Sequence, residues 1–87
     1  MEKTAKWVEH KLSELGILDR YSWVILCGMI LADGTYWEAV DAWAEIRGVS
    51  KEWMNAHLCY RTLEAGLSEH PKDVLQALAE EYRRNET

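Results

Sequence analysis

Three carboxylates, Glu38, Asp41 and Glu45, stand at i, i+3 and i+7 in the stretch Tyr36–Arg47. At about 100° per residue they form one helical ridge roughly 60° wide. Carboxylates so spaced can move protons or hold a divalent cation. No histidine accompanies these three, and nothing around them suggests a cleft. The ridge therefore reads as a solvated face or as a surface offered to a basic partner, with Trp37 beside it. His57 and Cys59 are two apart and point in different directions on a helix. Together with His10, His70 and Cys27 they show no zinc-ligand spacing. The chain carries no phosphate-binding glycine loop, and no nucleophile motif surrounds its Ser, His and Asp residues. No catalytic residue, cofactor site or metal site is expected, and the chain does not read as an enzyme.

The bulk numbers narrow the classes further. Eighty-seven residues, 48% of them hydrophobic and 29% charged, describe one globular domain over residues 1–87. A chain of this size buries roughly 60–65% of its unfolded surface, enough for one modest core. Five tryptophans and no phenylalanine put the aromatic surface on side chains with a polar N–H, suited to partly wet positions. The net charge of −5 disfavours a nucleic-acid binder, because phosphate contacts need Lys and Arg. Cys27 and Cys59 make no disulfide framework and read as small buried hydrophobes in a reducing compartment. The opening MEKTAKWVEH has no apolar core of a signal peptide. The apolar run Trp23 to Ala32 is half the length of a membrane span, which needs about 20 residues. A cytoplasmic protein with no membrane contact is expected.

These residues must be positioned by helices, since helical spacing runs throughout and no segment alternates like a strand. The pattern predicts an all-α fold, a compact bundle of four to five short helices around a central apolar helix at about 22–32. The first helix spans Thr4 to Leu15, with Gly16 as its left-handed terminator. The second starts from Asp19 or Ser22 and runs to Ala32. It is apolar all round, so it belongs at the centre. Gly28 in its middle costs about 1 kcal/mol relative to Ala, which implies close approach of a neighbouring helix. Thr35-Tyr36-Trp37-Glu38 fits a capping box for a third helix, Tyr36 to Arg47. Ser50 caps a fourth, to Ala65, and Pro71 opens a fifth, to about Arg84. A frayed tail is expected at about 85–87. Three joints share one layout: Gly16-Ile17, Gly48-Val49 and Gly66-Leu67 each pair a terminating glycine with an apolar residue.

The segment Trp43 to Leu58 resembles helix-turn-helix proteins locally. Ala44 is the small residue of the first helix, Gly48 makes the turn, and Val49 and Met54 are the inner apolar positions. Arg47 and His57 depart from the pattern, standing where apolar residues are usual. The resemblance implies a DNA-binding transcription regulator using residues 36–62. Lys51, Glu52, Asn55 and Thr62 would form the polar face of the fourth helix, and Ser50, Lys51, Asn55 and Arg61 would contact DNA. Asn55 could pair with adenine and Lys51 with guanine.

Against this stands a second reading. The third helix has more apolar surface than one small core should need. Trp7 lies off the Ala5-Val8-Leu12-Leu15 stripe of the first helix, and exposed tryptophans favour interfaces. The leading expectation is a non-catalytic protein-interaction module, a small acidic adaptor or inhibitor that docks on a larger protein and also forms a homodimer. Trp7, Trp37, Glu38, Asp41 and Glu45 would contact that larger protein. Compact acidic chains of this kind look like those borne by phages or other mobile elements.

Overall fold

The computed structural model describes residues 2–86. They form five helices, α1 (Glu2–Leu15), α2 (Arg20–Ala32), α3 (Tyr36–Arg47), α4 (Lys51–Glu64) and α5 (Pro71–Glu86), and no strands. The all-α bundle is as the spacing predicts. Helix α5 runs on through Asn85 and Glu86, two residues of the tail expected to fray; the third, Thr87, lies outside the described residues. A salt bridge from Lys3 to Glu86 ties this last turn to the first turn of α1, at 2.9 Å.

The helix ends follow local chemistry. Asp19, rather than Ser22, caps α2 and accepts from the Ser22 N–H at 2.8 Å. Thr35 and Glu38 form the complete capping box of α3, each side chain accepting from the other's backbone N–H. Ser50 caps α4 through the Trp53 N–H. Gly16, Gly48 and Gly66 all take left-handed backbone, with φ of 77°, 73° and 83°. In each joint the next residue's N–H reaches back to a carbonyl of the finished helix: Ile17 to Leu12, Val49 to Ala44 and Leu67 to Thr62. The three joints are thus one device used three times. At the end of α2 the left-handed residue is Asp33, not Gly34.

Helix α2 packs against each of the other four. Ile25, Leu26, Cys27 and Met29 are buried among Val8 and Leu12 of α1, Val40 and Ala44 of α3, Met54 and Leu58 of α4, and Leu75 and Leu78 of α5. Tyr36 is fully buried, and the hydroxyl at its tip is satisfied by the side chain of Asn55 at 2.8 Å. Leu15, Val24, Ile30 and Tyr82 are only half-buried, at the edge of the core. The central helix is not enclosed all round, however. Leu31 is 51% exposed, and Trp23, Val24 and Gly28 are partly open. Among the described residues no helix is long and apolar enough to cross a membrane.

Candidate functional site

The open side of α2 is the floor of a surface groove. One recess of about 210 Å³ is lined by Thr4 and Ala5 of α1, Trp23, Val24, Cys27, Gly28 and Leu31 of α2, and Trp43 of α3. A second, of about 280 Å³, runs on past Gly28 and Trp43 to Ala32, Thr35, Glu38 and Ala42. The two recesses meet at Gly28 and Trp43, which line both. Gly28 is what lets α3 come close. A Cβ built there would lie 3.3 Å from Trp43 Nε1 and 3.9 Å from the Ala39 Cβ. This is the close approach that a glycine inside a helix implied. On the other wall, Trp23 lies along α1 with its Nε1 donating to the Ala5 carbonyl at 3.4 Å.

The acidic ridge runs along α3 beside this groove, and of its three carboxylates Glu38 alone lines it. Glu38, Asp41 and Glu45 are all exposed on α3. Around the helix, Ala42 and Ile46 lie on the groove side of the ridge and Trp37 on the other flank. Ile46 is 67% and Trp37 44% exposed. The ridge therefore has apolar surface on both sides. Glu38 is partly committed to structure: hydrogen bonds from Thr35 hold its carboxyl below the usual carboxylate range. Asp41 and Glu45 have no such internal duty among the contacts described. Trp7 is placed apart from this group. It lies about 200° around α1 from Ala5, half-buried edge-on against Tyr82 of α5 at 5.0 Å, with the Lys11 ammonium over its ring.

Of the α4 face read from sequence as polar and outward, Lys51 and Glu52 are exposed, but Asn55 and Thr62 turn inward. Thr62 is buried and donates to the Cys59 carbonyl. Asn55 is half-buried and accepts from Tyr36. Arg61 is held by three partners: Asp19 at 3.1 Å, Glu64 at 2.7 Å and the Leu18 carbonyl at 3.3 Å. Ser50 is the helix cap. Of the four side chains assigned to DNA contact, Lys51 alone is exposed without a structural partner among the contacts described. The reason for the rotation is tertiary. Asp19, at the head of α2, gathers both His57, at 2.8 Å, and Arg61 from α4. That anchorage, with the Tyr36–Asn55 bond, fixes which side of α4 faces the core.

Turning α4 this way leaves its other side outward. Trp53, Ala56, Tyr60 and Leu63 are exposed. The sequence reading passed over this stripe, although its 3-4-3 spacing is visible in the chain. The neighbouring Trp53 and His57 rings stack at 5.6 Å, and Tyr21 meets both edge-on.

One pair has the outline of a nucleophile and its base. Cys59 Sγ lies 3.7 Å from His70 Nε2. Yet His70 Nδ1 accepts the Lys72 N–H at 2.9 Å, so a neutral ring carries its proton on Nε2, facing the sulfur. A ring in that state cannot take the thiol proton. Burial also raises the Cys59 thiol above its ordinary value, and it pushes Cys27 up to about 11. Both cysteines are free thiols. Among the described residues no three His, Cys, Asp or Glu side chains converge to hold a metal ion. Every buried side-chain N or O atom among them has a hydrogen-bond partner.

Compared with known proteins, the chain matches no family model, no curated protein and no solved structure.

Proposed function

We propose that this protein is a non-catalytic interaction module, a small acidic adaptor or inhibitor that docks on a larger protein. The observation that carries this reading is the pair of apolar recesses over α2 that meet at Gly28 and Trp43, with Trp23 lining one and Glu38, the first of the ridge carboxylates, lining the other. Aromatic walls supply affinity on desolvation, and the carboxylates add orientation and speed of encounter. A partner segment with an apolar face and basic flanks has the matching chemistry. The same reading includes association into a homodimer, since apolar surface remains on α3 and α4 beyond the groove. A cytoplasmic setting fits the two free thiols.

The test is affinity capture on immobilised protein, run in parallel with three variants. Leu31→Glu blocks the groove, the double variant Asp41→Lys with Glu45→Lys reverses the ridge, and Lys51→Ala removes the one open candidate DNA contact. A captured protein that is lost with the groove variant, weakened with the ridge variant and retained with Lys51→Ala is the expected result. Retention unchanged across the groove and ridge variants would overturn the reading. So would recovery of nucleic acid alone, lost with Lys51→Ala, which would favour a DNA regulator.

A further inference from the structure

Helix α4 is apolar on two opposite sides. Its inner stripe, Met54, Leu58 and Thr62, belongs to the bundle. Its outer stripe is Trp53, Ala56, Tyr60 and Leu63, separated by three, four and three residues. That is the alternation of a coiled-coil seam, with Trp53 and Tyr60 at one kind of position and Ala56 and Leu63 at the other. Trp53 is 46%, Tyr60 62% and Leu63 73% exposed. Together they occupy an arc about 80° wide. The only charges bordering it on the helix are Glu52 and Glu64, on opposite flanks and at opposite ends.

We infer that this outer stripe is the contact between two copies of the chain, with α4 antiparallel to the partner's α4 across a two-fold axis. The inference rests on the homodimer reading above and names its surface. Three features select a second copy. First, the stripe is self-complementary in one direction only. An axis beside Leu58 places Trp53 opposite the partner's Leu63, and Ala56 opposite the partner's Tyr60. Each ring then meets a smaller side chain. A parallel pair would set Trp53 and Tyr60 against their own copies and leave the Ala56 layer underfilled. Second, an isologous contact requires the same patch to serve both partners, and four residues centred on one axis do so. Third, the antiparallel arrangement keeps Glu52 and Glu64 on separate flanks, so no acid faces an acid. The core lies on the far side of α4, which leaves the stripe open to approach.

Stable specific interfaces bury about 1,200–2,000 Å² in total. One helix pair meeting through four side chains from each copy falls at or below that range. A contact of that size makes a weak, reversible dimer.

Sedimentation equilibrium on the full chain, from micromolar to millimolar concentration, reads this directly. The expected result is a monomer–dimer equilibrium that Tyr60→Lys with Leu63→Glu shifts at least tenfold toward monomer. A second variant, Ala56→Lys, is expected to act alike, and thermal melts establish that each variant is folded. Direction is read by oxidative cross-linking in proteins carrying Cys59→Ser. Ala56→Cys mixed with Tyr60→Cys is expected to cross-link between the two species faster than either does alone. A wild-type monomer at every concentration overturns both this inference and the homodimer reading, and leaves the stripe for a different protein. A dimer that survives the stripe variants overturns the inference while the homodimer reading stands. Preferential cross-linking of Ala56→Cys to itself overturns the antiparallel arrangement.

Discussion

Asp19 shows how much one side chain can organise. It caps α2 and anchors His57 and Arg61 of α4. Burial alone would raise its carboxyl. The Ser22 N–H and His57 outweigh that penalty and hold it below the ordinary value of 3.8. The charged form is therefore favoured by folding. Its contribution is complete above the unfolded carboxyl value and is lost as pH falls through the lower folded one. Asp19→Ala is expected to cost about 1–2 kcal/mol at pH 7, as lost caps commonly do. Urea denaturation at pH 7 and again near pH 2.5 checks this; the gap between variant and parent should narrow at the acid end. An equal gap at both values would mean that the charge is not what α4 requires. Thr35→Ala tests the capping box more simply. About 1 kcal/mol of stability should go with the hydroxyl, and an unchanged urea midpoint would mean that the cap adds nothing to α3.

Between elements, the decisive contact is α3 on α2 at Gly28. Replacing it with Ala brings the helix preference of about 1 kcal/mol, set against a Cβ 3.3 Å from Trp43 Nε1. The Trp43 ring is half-buried and open to the groove, so it can give by the small amount needed. Gly28→Ala is expected to melt close to the parent. Gly28→Val adds two further methyl groups in the same space and is expected to cost about 1–3 kcal/mol, the usual penalty for overpacking. The pair of variants separates helix preference from interhelical distance: equal stability of Ala and Val would show that α3 does not rely on the glycine. Helix α4 carries the opposite lesson. Its two apolar stripes compete for the core, and the outer one holds the larger rings. Partners decide the outcome, because Asp19, Tyr36 and the α2 core all call for the inner side.

Across the whole molecule, charge distinguishes the two proposed contacts. Each copy carries a net charge of −5, so two copies repel at long range. Added salt screens that repulsion over about 10 Å at 0.1 M. Self-association through α4 is expected to tighten modestly as salt rises from 50 to 500 mM. Docking of a basic partner along the acidic ridge is expected to weaken over the same range. Sedimentation and a partner-binding titration in the two buffers read both signs. Dimerisation that weakens with salt would point to specific ion pairs rather than to the apolar stripe. The ends of the chain are also joined at this scale. Thr4 Oγ1 and the Tyr82 hydroxyl are 2.7 Å apart, and Trp7 packs edge-on against the Tyr82 ring. Tyr82→Ala is expected to cost about 2 kcal/mol, the worth of a half-buried aromatic side chain with its ring contact and hydrogen bond. A melting temperature equal to the parent's would show that closure of α1 on α5 is dispensable.

The sequence by itself determined where this chain turns and which residues cap α3 and α4. Those features depend on short-range chemistry: glycine at left-handed positions, Thr35 and Ser50 as caps, and Pro71 in a first turn. It also marked α2 as central, because nothing else in the chain is apolar over so many consecutive residues. The close approach at Gly28 and the exposed acidic ridge were legible for similar reasons. Tertiary structure alone decided how α4 is rotated about its axis. Periodicity can name two stripes on α4 but cannot rank them when both are apolar. Asn55 and Arg61 looked free to read DNA until the Tyr36 hydroxyl and the Asp19 carboxylate, 19 and 42 residues away in the chain, were seen to hold them. The groove likewise is no property of one segment. It exists because α1 and α3 flank α2 without closing over Leu31, and that depends on long-range packing rather than on any local pattern.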